Sequence, residues 1–238
     1  MSLKSVIFPE LARIGKALAS SKRLELIDFL CQREFGVEEL AEVMEVSVAT
    51  TSHHLQILKN ARLVDVRSEG NRRCYSLRQG MPQLWQTLIS VGNENLAEIQ
   101  AAMAKFLDEP ESFAPVKARE LQARIKKGEV LVMDVRPKEE FEAGRFPGAI
   151  SVPMEDLDER IRHLPKDREV IAYCRGPYCL LSHTAVNLLR QHGIRARRWP
   201  SGVADWLVEG IQLERGSAKS EQVKKKYRCR SAAGKPKQ

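Results

Sequence analysis

A cysteine, Cys174, separates a short apolar run, Ile171-Ala172-Tyr173, from the turn-rich stretch Arg175-Gly176-Pro177-Tyr178-Cys179, and a helical pattern begins at about Leu180. A thiol at the exit of a buried strand, near the positive end of a helix, ionises more readily than an ordinary cysteine. The loop between them offers backbone N–H groups to a bound anion. Cys174 is therefore the first candidate nucleophile, with Arg175 beside it to favour the thiolate. Cys179 supplies a second thiol. It could close a disulfide with an oxidised Cys174, or it could simply pack within the loop.

Elements with a strand–helix alternation must position that thiol. Val130 to Asp134 is expected as a buried strand and Glu139 to Ala143 as a short helix. Ala149 to Val152 is expected as a strand, Leu157 to His163 as a helix and Val170 to Tyr173 as a strand. Leu180 to His192 reads as a longer helix and Ala196 to Trp199 as a final strand. This alternation predicts an α/β domain with a parallel sheet, its site at the C-terminal ends of the strands, where Cys174 lies.

At 238 residues and 43% hydrophobic, the chain is long enough for two ordinary domains and too apolar to be disordered. No apolar run approaches the ~20 residues of a membrane span, and Met1-Ser2-Leu3-Lys4 opens no secretory pattern, so a cytoplasmic protein is expected. Five scattered cysteines form neither a Cys-x-x-Cys metal pair nor a disulfide framework. The net charge of +8 is localised: residues 1–108 hold 13 basic and 13 acidic side chains, and residues 109–214 hold 17 of each. The whole excess lies in residues 215–238, expected to be a disordered basic tail, so bulk charge identifies no nucleic-acid surface.

Local pattern does. An apolar stripe of Leu24, Leu26, Ile27 and Leu30 follows an N-cap candidate in Ser21-Lys22-Arg23 and is broken by Phe35-Gly36. A short helix from Val37 to Met44 buries Leu40, Ala41 and Met44. Ser47 then caps a second helix to about Asn60, with Thr51, Leu55 and Leu58 facing the core. The opposite face carries Ala49, Ser52, His53 and Gln56, small or hydrogen-bonding and free of carboxylates, as a major groove requires. The first turn, Ser47, Val48, Ala49 and Thr50, joins this face as candidate DNA contacts. An alternating hairpin around Gly70-Asn71 brings Arg67, Arg72 and Arg73 to its tip, within reach of phosphates or a minor groove.

Ser47 to Leu58, with Ser52-His53-His54-Leu55, Leu63-Val64 and the hairpin ending Tyr75-Ser76-Leu77, resembles a winged-helix repressor of the ArsR/SmtB type over roughly residues 8–105. The resemblance implies a homodimer on palindromic double-stranded operator DNA, paired through the first helix and the helix after the wing. Leu84, Leu88, Val91 and Ile99 supply apolar positions for that last helix. The metal sites of such sensors cannot be carried over. Gly36-Val37-Glu38 stands where Cys-x-Cys is often found, and no histidine lies between His54 and His163, so no metal or other cofactor is expected. Cys31 and Cys74 could form a thiol pair or be two separately packed small residues.

Residues 116–213 resemble a rhodanese domain through Asp134-Val135-Arg136, Glu140-Phe141, Pro147-Gly148-Ala149-Ile150, Tyr173-Cys174-Arg175, and Gly202 with Trp206. By resemblance Cys174 carries a persulfide in a cradle of loop N–H groups, and Asp134 and Arg136 hold loop and sheet together. The sixth loop position, commonly Arg, Ser or Thr, is Cys179, and the stretch from Cys174 to Gly193 is about two residues longer than the commonest pattern. Either the loop is enlarged, as in relatives that bind a larger oxyanion, or the helix starts later. The expected organisation is thus a winged helix-turn-helix at 1–108, a linker at 109–115, a rhodanese-like domain at 116–214 and the tail. The expected function is transcriptional regulation with a sulfur, redox or oxyanion input at Cys174. A sulfurtransferase or oxyanion-reducing enzyme with an accessory DNA-binding domain is the alternative.

Overall fold

The computed structural model describes residues 2–107 and 117–217; the expected linker and residues 218–238 of the tail lie outside them. The described chain forms two compact units. The first comprises residues 2–107 with 175–180 and 200–213, the second residues 117–174, 181–199 and 214–217.

In the first unit, α1 (Leu3–Leu18) and α2 (Ser21–Leu30) precede a short strand, β1 (Phe35–Gly36), and the pair α3 (Val37–Val43) and α4 (Val48–Asn60). Ser20, not Ser21, holds the N-cap position of α2, in extended conformation. Ser47 caps α4 by accepting the Thr50 N–H at 3.1 Å, and the Thr51 hydroxyl donates back to the Ser47 carbonyl at 3.1 Å. Those two bonds fix where the helix starts, and therefore which face Thr51, Leu55 and Leu58 bury. Their core partners include Leu26, Ile27, Leu30, Leu40 and Met44, with Tyr75 and Trp85 in the same cluster. Each large apolar side chain fully buried there contributes about 1.5–3 kcal/mol relative to exposure.

The wing is β2 (Val64–Glu69) and β3 (Arg72–Leu77), antiparallel from Val64 opposite Leu77 to Glu69 opposite Arg72. A two-residue Gly70-Asn71 turn joins them, with Gly70 at φ +59°, which glycine adopts at little cost. β1 pairs with β3, giving the order β1-β3-β2.

The helix after the wing, α5 (Met81–Asn95), is shorter than the apolar spacing suggested, and Ile99 belongs to a separate helix, α6 (Ala97–Leu107). Leu96 is extended between them, and the Asn95 side chain donates to the Val91 carbonyl at 2.9 Å, competing with helix continuation. Gly92 makes the break compact: a Cβ there would lie 3.0 Å from Ile99 Cδ1, so bare backbone lets α6 fold back onto α5.

The second unit is built on α7 (Ala118–Lys126), which the sequence pattern did not reveal, and β4 (Val130–Asp134). There follow α8 (Lys138–Ala143), β5 (Ile150–Ser151), α9 (Leu157–Arg160), β6 (Glu169–Tyr173), α10 (Leu181–Gln191) and β7 (Ala196–Trp199). All strand pairs are parallel, in the order β5-β4-β6-β7, with Asp134 beside Tyr173 and Tyr173 beside Trp199. β5 is shorter than expected because the Ala149 N–H turns back to the Phe146 carbonyl and Pro153 follows Val152. The expected helix 157–163 is one α-turn between two tighter 3-10 turns. Leu164, extended ahead of Pro165, stops its propagation. A further short helix that the sequence pattern did not reveal, α11 (Val203–Val208), packs on α5 in the first unit. There Asp205 accepts the Gly202 N–H at 2.7 Å and the Gln86 side-chain amide at 3.0 Å.

Candidate functional site

Cys174 follows β6, one of the two central strands, and is only 1% exposed. Its Sγ lies 3.1 Å from the Ser182 hydroxyl on the first turn of α10. That hydroxyl accepts the Nε–H of Arg198, a buried β7 residue, at 3.2 Å. Neither Ser182 nor Arg198 was singled out from sequence. One signal was available for the arginine: adjacent Arg197 and Arg198 in a strand point to opposite faces of the sheet and so cannot share one exposed face.

α10 begins at Leu181, one residue later than the sequence pattern, so residues 175–180 separate Cys174 from it. Gly176 has φ +152°, and the Cys179 N–H donates back to its carbonyl at 3.3 Å. Within the first unit, the Arg175 guanidinium lies 4.9 Å from the Phe29 ring centre. The Arg175 carbonyl accepts the Nε2–H of Gln32, a residue 3% exposed just beyond α2, at 3.1 Å. Gly202 approaches the same carbonyl so closely that a Cβ there would collide with it.

Asp134 and Arg136 form a fully buried ion pair at 2.6 Å at the end of β4. Arg136 also donates to the Gly144 carbonyl at 2.8 Å, and the Tyr173 hydroxyl donates to Asp134 at 2.6 Å. Burial opposes the Arg136 charge, but the adjoining carboxylate outweighs it and holds the guanidinium protonated. Burial and the Asp134 charge together keep the Tyr173 hydroxyl well above its ordinary pKa. This network ties β4 to β6 and to the 144–146 turn.

On α4, Ser47, Val48, Ala49, Thr50, Ser52, His53 and Gln56 are all at the surface, and Gln56 donates to Asn60 at 2.8 Å. His54 is half-buried with Nδ1 unpartnered, and burial followed by the nearby Arg23 charge pushes its pKa down. Arg72 and Arg73 are exposed at the wing tip, whereas Arg67 is held by Glu34 at 2.6 Å and Glu69 at 3.2 Å. Among the described residues, no three metal-ligating side chains are assembled. Cys31 is buried in the core and Cys74 half-buried in β3. Burial, then nearby carboxylates, push both thiols above their ordinary range, Cys31 far above, which disfavours thiolate chemistry at either.

The profile of the arsR family of bacterial regulatory proteins matches residues 20–66, and that of the rhodanese-like domain matches residues 117–209. The chain is 37% identical to the HTH-type transcriptional regulator Rv0324 of Mycobacterium tuberculosis, over 90% of this chain and 94% of that one. This chain is an arsR-family transcriptional regulator with a rhodanese-like domain. The regulator is also similar to a sulfurtransferase of Allochromatium vinosum, 33% identical over 36% of this chain and 78% of that one. Among solved structures it resembles the homodimeric winged helix-turn-helix DNA-binding domain of Mb0332 from Mycobacterium bovis. That match has 35% identity and a TM-score of 0.39, covering 40% of this chain and 90% of that one. No helix among the regulator's described residues is long and apolar enough to cross a membrane.

Proposed function

We propose that this regulator is a homodimeric repressor of a palindromic operator, and that a small sulfur species or oxyanion acting at Cys174 changes its hold on DNA. The observation that carries the reading is the packing of residues 175–180 in the same unit as the winged helix, with Gln32 bonded to the Arg175 carbonyl at 3.1 Å. A group added to Cys174, which is almost completely buried, displaces the peptide that follows it. That peptide carries the carbonyl Gln32 holds and the guanidinium that covers Phe29 of α2. A modification shifts the DNA-binding equilibrium only by as much as it favours one arrangement of this contact over the other.

Thiosulfate is the simplest donor. The Cys174 thiolate attacks its outer sulfur, a Cys174 S–S bond forms, the donor's S–S bond breaks, and sulfite leaves with the electron pair. With a small-molecule persulfide the leaving group is the donor's thiolate. Cys179 can then attack the inner sulfur of the Cys174 persulfide, closing a disulfide and expelling hydrosulfide.

On the DNA side, α4 presents Ser52, His53 and Gln56 to base edges, the first turn of α4 and the wing arginines hold phosphates, and Asp134 and Arg136 support the loop without touching substrate. The dimer forms through the apolar side chains left exposed on α1 (Val6, Phe8, Leu11) and α5 (Leu84, Leu88, Val91). Converting Arg72 and Arg73 together to alanine is expected to weaken binding to all sequences alike. It should lower the slope of log affinity against log salt by about 2, one for each phosphate that is no longer neutralised. Anisotropy titrations across a roughly fourfold range of salt, from about 50 to 200 mM, measure this.

The sulfurtransferase likeness favours a second reading, turnover of thiosulfate with cyanide as acceptor. A fluorescence-anisotropy titration of the regulator's own promoter, with and without thiosulfate or glutathione persulfide, separates the two. On the regulatory reading the donor weakens wild-type binding while Cys174→Ser binds normally and ignores the donor. Steady thiocyanate production with unaltered DNA affinity would instead make the protein an enzyme.

A further inference from the structure

A guanidinium has no acceptor, so in the Arg198–Ser182 contact the serine oxygen must receive the Nε–H. Ser182 is completely buried, and its second close polar neighbour is Cys174 Sγ at 3.1 Å. One lone pair of the serine is occupied by Arg198, and an ionised Cys174 sulfur has no proton of its own, so toward the thiolate the serine hydroxyl is the donor. The three groups therefore form a directed chain, from a permanent cation on β7 through a hydroxyl on α10 to the thiol at the end of β6. All three are nearly solvent-free, Arg198 being 5% exposed, and in such surroundings each link strengthens the next.

We propose that Arg198 is a positioning residue that sets the ionisation of Cys174 through Ser182, holding the sulfur as a thiolate for attack on the sulfur donor. The charge on Arg198 makes the serine O–H a stronger donor, and a stronger donor favours S⁻ over S–H. Three other arginines near this end of the sheet have contacts of their own. Arg136 is paired with Asp134, Arg197 faces the other way to Glu169, and the Arg175 guanidinium lies over Phe29. His183, next to the serine, is bonded to Asn187 at 3.1 Å. This proposal rests on the reading of Cys174 as the reactive thiol, but it concerns the thiol itself and not its effect on DNA.

The test is the pH profile of iodoacetamide alkylation at Cys174 in the full chain, resolved peptide by peptide by mass spectrometry, with Cys74 as the internal reference. Arg198→Met, close in length but uncharged, is expected to move the Cys174 profile up by about one pH unit or more. Near neutral pH this is a roughly tenfold slower alkylation, with the Cys74 profile unchanged. Arg198→Lys should recover part of the shift, since it restores the charge without the Nε–H. Ser182→Ala should reproduce the Arg198→Met profile, and it decides the matter if the arginine variant does not fold. Superimposable Cys174 profiles in wild type and Ser182→Ala would overturn the relay. A shifted profile in a protein whose DNA binding ignores sulfur donors would leave the relay standing and remove the proposed function.

Discussion

Asp134→Ala is expected to destabilise the second unit by about 3–5 kcal/mol, the cost of leaving a buried charge without its partner. Arg136 is completely enclosed, and Asp134 receives its guanidinium, its backbone N–H at 3.0 Å and the Tyr173 hydroxyl. Removing the carboxylate takes the Asp134 ion pair from the guanidinium and the Asp134 acceptor from the Tyr173 hydroxyl. Urea unfolding monitored by tryptophan fluorescence reports this directly, since Trp199 packs edge-on against both Phe146 and Tyr173. A loss below about 1 kcal/mol, the value of an exposed pair, would contradict the buried network.

The second large effect concerns signalling. Gln32→Leu keeps most of the side-chain volume but removes the Nε2–H that holds the Arg175 carbonyl, and with it the bond to the Asp28 carbonyl at 3.2 Å. The unmodified variant should bind operator DNA within a few-fold of wild type, since Gln32 is not part of the exposed α4 face. Its response to a sulfur donor should fall from the roughly 5–150-fold range of ordinary allosteric coupling to nearly none. Anisotropy titrations at one salt concentration, with Cys174 modification followed in parallel, measure both. A variant that is fully modified and still releases DNA would place the coupling elsewhere.

Much of this fold could be read from residue spacing because its elements are strongly periodic. Thr51, Leu55 and Leu58 defined the buried face of α4, and the run Val130 to Met133 is buried throughout, as its unbroken apolar character implied. Expectation and structure part where a local bond overrides periodicity. Apolar spacing carried α5 on to Ile99, yet Asn95 and the bare backbone at Gly92 let the chain reverse. Leu164 before Pro165 cut the 157–163 helix to one turn. At the site, Cys174 was legible from its position after an apolar run, but Ser182, Arg198 and Gln32 were not. Each reaches its partner through three-dimensional packing, and Gln32 meets a carbonyl 143 residues away in the chain.

On the proposed function, the state of Cys174 governs DNA affinity. One titration tests it most directly: operator affinity measured on samples whose Cys174 is modified to graded extents by thiosulfate or glutathione persulfide, the extent read by mass spectrometry on the same tubes. The fraction of protein able to bind is expected to fall in step with the modified fraction, to be restored by dithiothreitol, and to be constant in Cys174→Ser. Full modification of Cys174 with unchanged operator affinity would contradict it.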